Sequence, residues 1–237
     1  WTPGASQCDP GKLSQPALDS ALRMTNMYRF VAGLPAVSMS ASLNAKSQAC
    51  AVMMKANGRI SHNPSTSWKC YTADGALAAK KSNLSSGGDA TRAVYRFMLD
   101  NGNATTMGHR RWILSNWTGP MGFGTTGKYT CMYVITGIKG GKQWAAWPPA
   151  GEVPVNEVFD STGWTFQSDA FSPSGVEVRS GGAVMPVQMT KLLPNYGSKY
   201  AISFRPDGWK TQAGKTYNVT ITGSQTIKYS VKPVTCP

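Results

Sequence analysis

Apolar side chains recur every three or four residues in four stretches of the first hundred residues. From residue 121 onward they alternate with polar ones in short runs. The first spacing is that of helices with one buried stripe, the second that of strands with one buried face. Ser14 followed by Pro16 predicts a helix start, and Leu18, Leu22, Thr25, Tyr28 and Val31 carry that helix to a stop at Gly33. Ser40 or Ser42 caps a second helix, with Leu43, Cys50, Met53 and Met54 on or near its buried side and Asn57-Gly58 at its end. Thr72 or Asp74 opens a short Ala-rich helix to Lys81. Asp89 caps a fourth, which runs through Ala93, Val94, Phe97 and Met98 to Asn101-Gly102. Strand-type runs follow at Met121–Gly124, Tyr129–Thr136 and Trp144–Trp147, with Gly127 and Gly140-Gly141 as turns. Residues 1–15, rich in Pro and Gly, read as an extended, loosely structured arm.

Trp147-Pro148-Pro149-Ala150-Gly151 marks a change of period. Beyond it, short strands are predicted at Trp164–Phe166, Val176–Arg179, Val187–Thr190, Tyr200–Arg205, Thr216–Thr222 and Ile227–Val231, with no helix signal between them. The expected organisation is an α+β domain over residues 1–150 and a small all-β, immunoglobulin-like sandwich over residues 151–237.

Charge is distributed unevenly. Residues 1–150 carry 16 Lys/Arg against five acids, a balance of +11, whereas residues 151–237 carry eight against six. All three glutamates, Glu152, Glu157 and Glu177, lie in the second part. A basic first domain without Glu excludes paired-glutamate acid–base chemistry there and favours anionic partners. No run of 18 apolar residues occurs, so no membrane span is expected. The chain opens at Trp1 without a basic-plus-apolar leader; for a secreted protein that implies a leader already removed. The cysteines are Cys8, Cys50, Cys70, Cys131 and Cys236. They form no C-x-x-C pair, which excludes zinc-ribbon and thioredoxin-like sites and points to disulfides and an oxidising compartment. A Cys50–Cys70 bridge is expected, closing the loop that holds His62. Sequons stand at Asn83, Asn103, Asn116 and Asn218.

The chain has two histidines, in Ser61-His62-Asn63-Pro64 and in Gly108-His109-Arg110-Arg111-Trp112-Ile113-Leu114. Any imidazole chemistry near neutral pH uses one or both. Arg110 and Arg111 flank the second. They suit forked hydrogen bonds to a phosphate or carboxylate of a ligand, or, for at least one of them, an internal pair with Asp100 or Asp89. Trp112, Trp117, Trp144 and Trp147 offer an aromatic face or core, and Trp112 is read as core. No G-x-S-x-G elbow and no phosphate-binding glycine loop is present, and no nucleic-acid module accompanies the positive charge.

From about Ala17 to Pro149 the sequence resembles the CAP superfamily of cysteine-rich secretory proteins, insect antigen five and plant pathogenesis-related proteins. The residues that carry the resemblance are Asn26-Met27-Tyr28-Arg29, Gly33-Leu34-Pro35, Leu43 through Ala51, Ser61-His62, Ser82-Asn83-Leu84 and Gly108-His109. The family's G-E-N-[IL] box reads Lys81-Ser82-Asn83-Leu84 here, so Ser82 stands at a glutamate position, and Asp100 is nearest to the family's second acid. The Arg110–Leu114 tail resembles a microbial branch. The resemblance implies an α-β-α sandwich with a cleft lined by His62 and His109, in a secreted, extracellular protein. His62, His109, Asp100 and Ser82 are the catalytic candidates, His62 and His109 the ligands for a divalent metal such as zinc, and Arg110 and Arg111 the candidate ligand-binding residues. Two functions follow as expectations: binding of an anionic or lipid-like envelope component (lipid, sterol or wall polymer), or metal-assisted hydrolysis at the two histidines.

Overall fold

The computed structural model describes residues 1–137 and 142–236, and they divide into two compact units. The expected turn at Gly140-Gly141 lies outside the described residues. The first unit comprises Trp1–Tyr28, Ala36–Met98 and Trp117–Gly140; the second comprises Arg29–Pro35, Leu99–Asn116 and Gly141–Pro237. No helix among the described residues is long and apolar enough to cross a membrane.

In the first unit the helices are α1 (Gln15–Val31, its last turn counted with the second unit), α2 (Ala41–Asn57), α3 (Ala73–Lys81) and α4 (Ala90–Leu99). The open choices of cap resolve to Ser40, whose hydroxyl accepts from Leu43 N, and Thr72, whose hydroxyl accepts from Gly75 N. Asp89 accepts from Arg92 N as expected. Gly58 closes α2 in the left-handed conformation that the next residue of a helix end favours. Three strands, β1 (Ser82–Ser86), β2 (Gly122–Thr125) and β3 (Tyr129–Tyr133), form an antiparallel sheet with β3 in the middle. Helix α2 lies against β2 so closely that a Cβ on Gly124 would fall 2.1 Å from the Ser47 backbone, and one on Gly122 2.4 Å from that of Leu43. At this distance Asn44 Oδ1 accepts from Phe123 N (2.9 Å), while Gln48 Oε1 accepts from Thr125 N (2.9 Å) and its amide donates to Thr125 O (3.1 Å). The sheet edge is thereby satisfied by helix side chains. Between helices and sheet lies a core of Cys50, Met53, Met54, Ala78, Leu84 and Cys131 with their neighbours.

The second unit contains α5 (Gly108–Ile113), β4 (Trp144–Trp147), β5 (Gly151–Pro154), β6 (Trp164–Ser168), β7 (Gly175–Ser180), β8 (Ala183–Met185), β9 (Val187–Lys191), β10 (Tyr200–Pro206), β11 (Tyr217–Thr222) and β12 (Thr226–Val234). They form a four-stranded sheet, β4-β6-β10-β9, and a five-stranded sheet, β5-β12-β11-β7-β8. All pairings are antiparallel except that of β5 with β12. Aromatic rings bridge the two sheets: Trp144 to Tyr229 at 5.9 Å and Trp164 to Tyr217 at 5.9 Å. All six strands expected beyond residue 160 are present. Three further strands (β1, β5 and β8) and α5 were not expected: β1 is Ser-Asn-Leu-Ser-Ser, β5 runs from Gly151 to Pro154, β8 has three residues, and α5 buries two arginines in place of an apolar stripe. Trp144–Trp147, read as part of the first sheet, instead pairs with β6 in the second unit.

The disulfide expectation is corrected. Cys50 bonds to Cys131 and Cys8 to Cys70, leaving Cys236 free and exposed. The reason is direction: Cys50 sits on the face of α2 that is turned to the sheet, fully buried against the middle strand, whereas Cys70 lies in a half-buried turn facing the N-terminal arm. The arm is accordingly not loose. Thr2 and Lys12 exchange backbone hydrogen bonds, Trp1 Nε1 donates to Pro10 O (2.8 Å), and the Asp9 carboxylate accepts from Ala5 N and Gly11 N.

Candidate functional site

Helix α4 ends at Leu99, and Asp100 follows in the left-handed region at φ 54°. An acid with a short side chain tolerates that conformation, and it aims the carboxylate back toward the start of α5. There Asp100 Oδ2 accepts from Arg110 N at 3.1 Å. Its Oδ1 receives Asn103 Nδ2 at 2.7 Å and His109 Nδ1 at 2.9 Å. The Asp100 side chain is completely buried and that of His109 is 26% exposed. A buried carboxylate fixes the proton on Nδ1 of its imidazole partner, so His109 and Asn103 both donate to one oxygen and their 2.8 Å contact is that of two donors sharing an acceptor. This is an oriented imidazole. The two expected site residues Asp100 and His109 are thus brought together, with Asn103, which sequence reading had noted only as a sequon.

Arg110 and Arg111 are buried. The Arg110 guanidinium donates to Gly163 O (2.7 Å), Leu99 O (3.2 Å) and Thr162 Oγ1 (2.8 Å), and lies over the Phe159 ring. Arg111 donates to Thr106 O (2.9 Å), Leu193 O (2.7 Å) and Ser198 O (3.2 Å). A third buried arginine, Arg29, donates to Pro35 O, Ile113 O and Ser115 O. Burial lowers the guanidinium pKa of Arg29 and of Arg111 to about 10, which leaves both cationic at neutral pH. The backbone between these side chains is itself held, since Gln167 donates to Arg111 O and Leu114 O. Arg29, Arg110 and Arg111 are internal cross-links of the second unit, and the internal role expected for at least one of Arg110 and Arg111 is met with carbonyl oxygens rather than with the Asp100 or Asp89 carboxylate as guanidinium partners. Trp112, read as core, is half-buried, whereas its neighbours Ile113 and Leu114 are buried.

His62 and Ser82 belong to the first unit and His109 to the second. His62 is exposed, in the turn that Pro64 follows, and its Nδ1 donates to Ala79 O in the last turn of α3 (2.9 Å). A donor at that point caps a carbonyl that the helix leaves unpaired. Ser82 opens β1 directly after α3. It is buried, and its hydroxyl has no hydrogen-bond partner among the described residues. Among the described residues no three of His, Cys, Asp and Glu converge as a metal site would require. The Asp100 carboxylate is already bonded to three donors, and each histidine commits its Nδ1 to a protein oxygen, that of His109 to Asp100 and that of His62 to Ala79 O.

The exposed charge of the first unit remains. Its described residues hold eleven Lys/Arg against four acids. Each acid is engaged: Asp74 with Lys46 (2.9 Å), Asp89 at the start of α4, Asp9 with two backbone N–H groups, and Asp19 with Gln15. Among the described residues, Lys46–Asp74 is this unit's one Lys/Arg–carboxylate pair. Of the four sequon asparagines, Asn83 and Asn116 are buried, Asn103 is half-buried beside Asp100, and Asn218 is exposed on β11.

Residues 22–137, just under half of the chain, match the family model CAP, the cysteine-rich secretory protein family. No curated protein and no solved structure matches the chain.

Proposed function

We propose, taking residues 22–137 as a CAP-family domain, that this is a secreted protein whose first unit binds an anionic or amphipathic component of a cell envelope. The supporting observation is the exposed positive charge just described: ten cations of that unit have no carboxylate within 4 Å among the described residues. Two disulfides support an oxidising compartment. The β-sandwich, which we take as immunoglobulin-like, serves as a rigid mount, because its inner face is filled with aromatic side chains.

Lysines and arginines attract an anionic surface additively over about a Debye length, and salt screens the attraction. Replacing Arg59, Lys69, Lys80 and Arg92 together by Gln is expected to weaken binding to phosphatidylglycerol-containing vesicles or to an acidic wall polymer at least about 100-fold. Raising the ionic strength is expected to weaken the parent in the same direction. Co-sedimentation measures both. Equal binding by the parent and the four-site variant would defeat the proposal.

A further inference from the structure

The N-terminal arm encloses a cavity of about 210 Å³ against α2, walled by Trp1, Gln7 and Asp9 from the arm and by Val52, Lys55 and Ala56 from the helix. Four kinds of constraint hold this wall in place. They are the Cys8–Cys70 disulfide, the Thr2–Lys12 backbone pair, the Trp1 indole bond to Pro10, and the bond from Gln48 Nε2 to the same Pro10 carbonyl (3.0 Å). A loop without regular structure that is fixed at so many points forms a pre-organised pocket, for which binding carries little ordering cost.

The polar lining is asymmetric. Both oxygens of Asp9 accept from backbone N–H groups, and those bonds hold its carboxyl below the usual range, so the acid is committed to the arm itself. Lys55 has no carboxylate within 4 Å among the described residues, and its ammonium lies 4.2 Å from the centre of the Trp1 ring. The floor is apolar, with Val52 fully buried. A cation held over an indole face, an amide from Gln7 and an apolar floor recognise a ring whose anionic substituent draws the ammonium aside and whose C–H face takes its place on the tryptophan. The volume accommodates one ring and is too small for an acyl chain.

We infer that the arm pocket binds a single anionic sugar ring, with Lys55 on the carboxylate or phosphate and Trp1 on the ring face. This rests on the envelope-binding reading and narrows its ligand to an acidic saccharide.

The test follows the Trp1 indole N–H in 15N-labelled full-length protein, its resonance assigned by Trp1→Phe. Glucuronate, glucose 6-phosphate and glucose are titrated separately. The expected result is a saturable shift of that resonance with one or both anionic sugars, none with glucose, and loss of the shift in Lys55→Met and in the Cys8→Ser/Cys70→Ser variant. A carboxylate-selective pocket responds to glucuronate alone, a phosphate-selective one to glucose 6-phosphate alone. An unmoved Trp1 resonance with both anionic sugars, or an equal response in Lys55→Met, would overturn the inference. Because the four-site variant above leaves Lys55 and Trp1 intact, the two readings fail separately. Vesicle or polymer binding that depends on the four surface cations but leaves Trp1 unmoved removes the pocket and keeps the surface. A Trp1 response with polymer binding indifferent to those four cations does the opposite.

Discussion

The two histidine segments carry the same weight in the sequence and behave differently in the structure. Ser61-His62-Asn63-Pro64 lies on the surface of the first unit, held by one imidazole bond to the end of α3 and, a few residues on, by the Cys8–Cys70 bridge. Gly108–Leu114 lies inside the second unit, where two of its side chains alone make seven hydrogen bonds, five of them to backbone carbonyls. The contrast teaches that a motif rich in ionisable groups is not thereby a reactive surface. A guanidinium presents five donors in a fixed fork, and where several carbonyls converge it satisfies them all at once. The segment that looks most like a binding site is the one that knits α5 to the strands and loops of its own unit.

The strongest way to break this comparison is to remove one fork. Arg111→Ala removes the guanidinium donor from three carbonyls, that of Ser198 buried and those of Thr106 and Leu193 part-buried, and is expected to lower unfolding stability by about 2–4 kcal/mol. Arg110→Lys is expected to recover little of the loss seen in Arg110→Ala, since an ammonium cannot span the same acceptors. Urea denaturation followed by circular dichroism measures both, and near-parent stability in either alanine variant would mean that the segment is not a cross-link.

The Cys8→Ser/Cys70→Ser variant acts on the other segment. The bridge spans 62 residues, so its loss is expected to cost about 2–4 kcal/mol while leaving the buried Cys50–Cys131 bridge intact. Differential scanning calorimetry reads the size, and limited proteolysis shows whether cleavage concentrates in residues 1–12.

A smaller effect is expected from Asp100→Asn. The side chain keeps its shape but loses the charge that three donors share, and about 1–3 kcal/mol should go. Chemical denaturation gives the value, and the His109 ring resonances should shift as its tautomer is released. At the far end stands His62→Ala, which removes one bond of an exposed side chain and should cost no more than about 1 kcal/mol. A loss as large as that of Arg111→Ala would erase the difference between the two segments.

Much of the local structure was legible because it rests on neighbours in sequence. Ser40, Thr72 and Asp89 cap helices by bonding three residues ahead, and Gly58 ends one through its own backbone freedom. Beyond residue 160 six strands were located, most clearly β11 and β12, whose residues alternate between buried and exposed or half-buried. Elements without an apolar pattern were not legible: β1 buries Ser and Asn, α5 buries Arg110 and Arg111, β5 is bounded by Gly151 and Pro154, and β8 has three residues. The Asp100–His109 contact was half legible, in that the residues were named but the left-handed turn joining them was not.

The sequence by itself determined where the four long helices and most of the strands form, which residues can ionise, and that the first part of the chain is basic, because these follow from side-chain type and near spacing. Only the tertiary structure decided that Cys50 meets Cys131 and not Cys70, that Trp144–Trp147 joins the sandwich, and that Arg29, Arg110 and Arg111 turn inward onto carbonyl oxygens rather than carboxylates. Each of these depends on which groups far apart in the chain lie opposite one another. A thiol bonds to the thiol its helix face meets, a strand to the open edge beside it, and a guanidinium to whatever carbonyls would otherwise be buried without a donor.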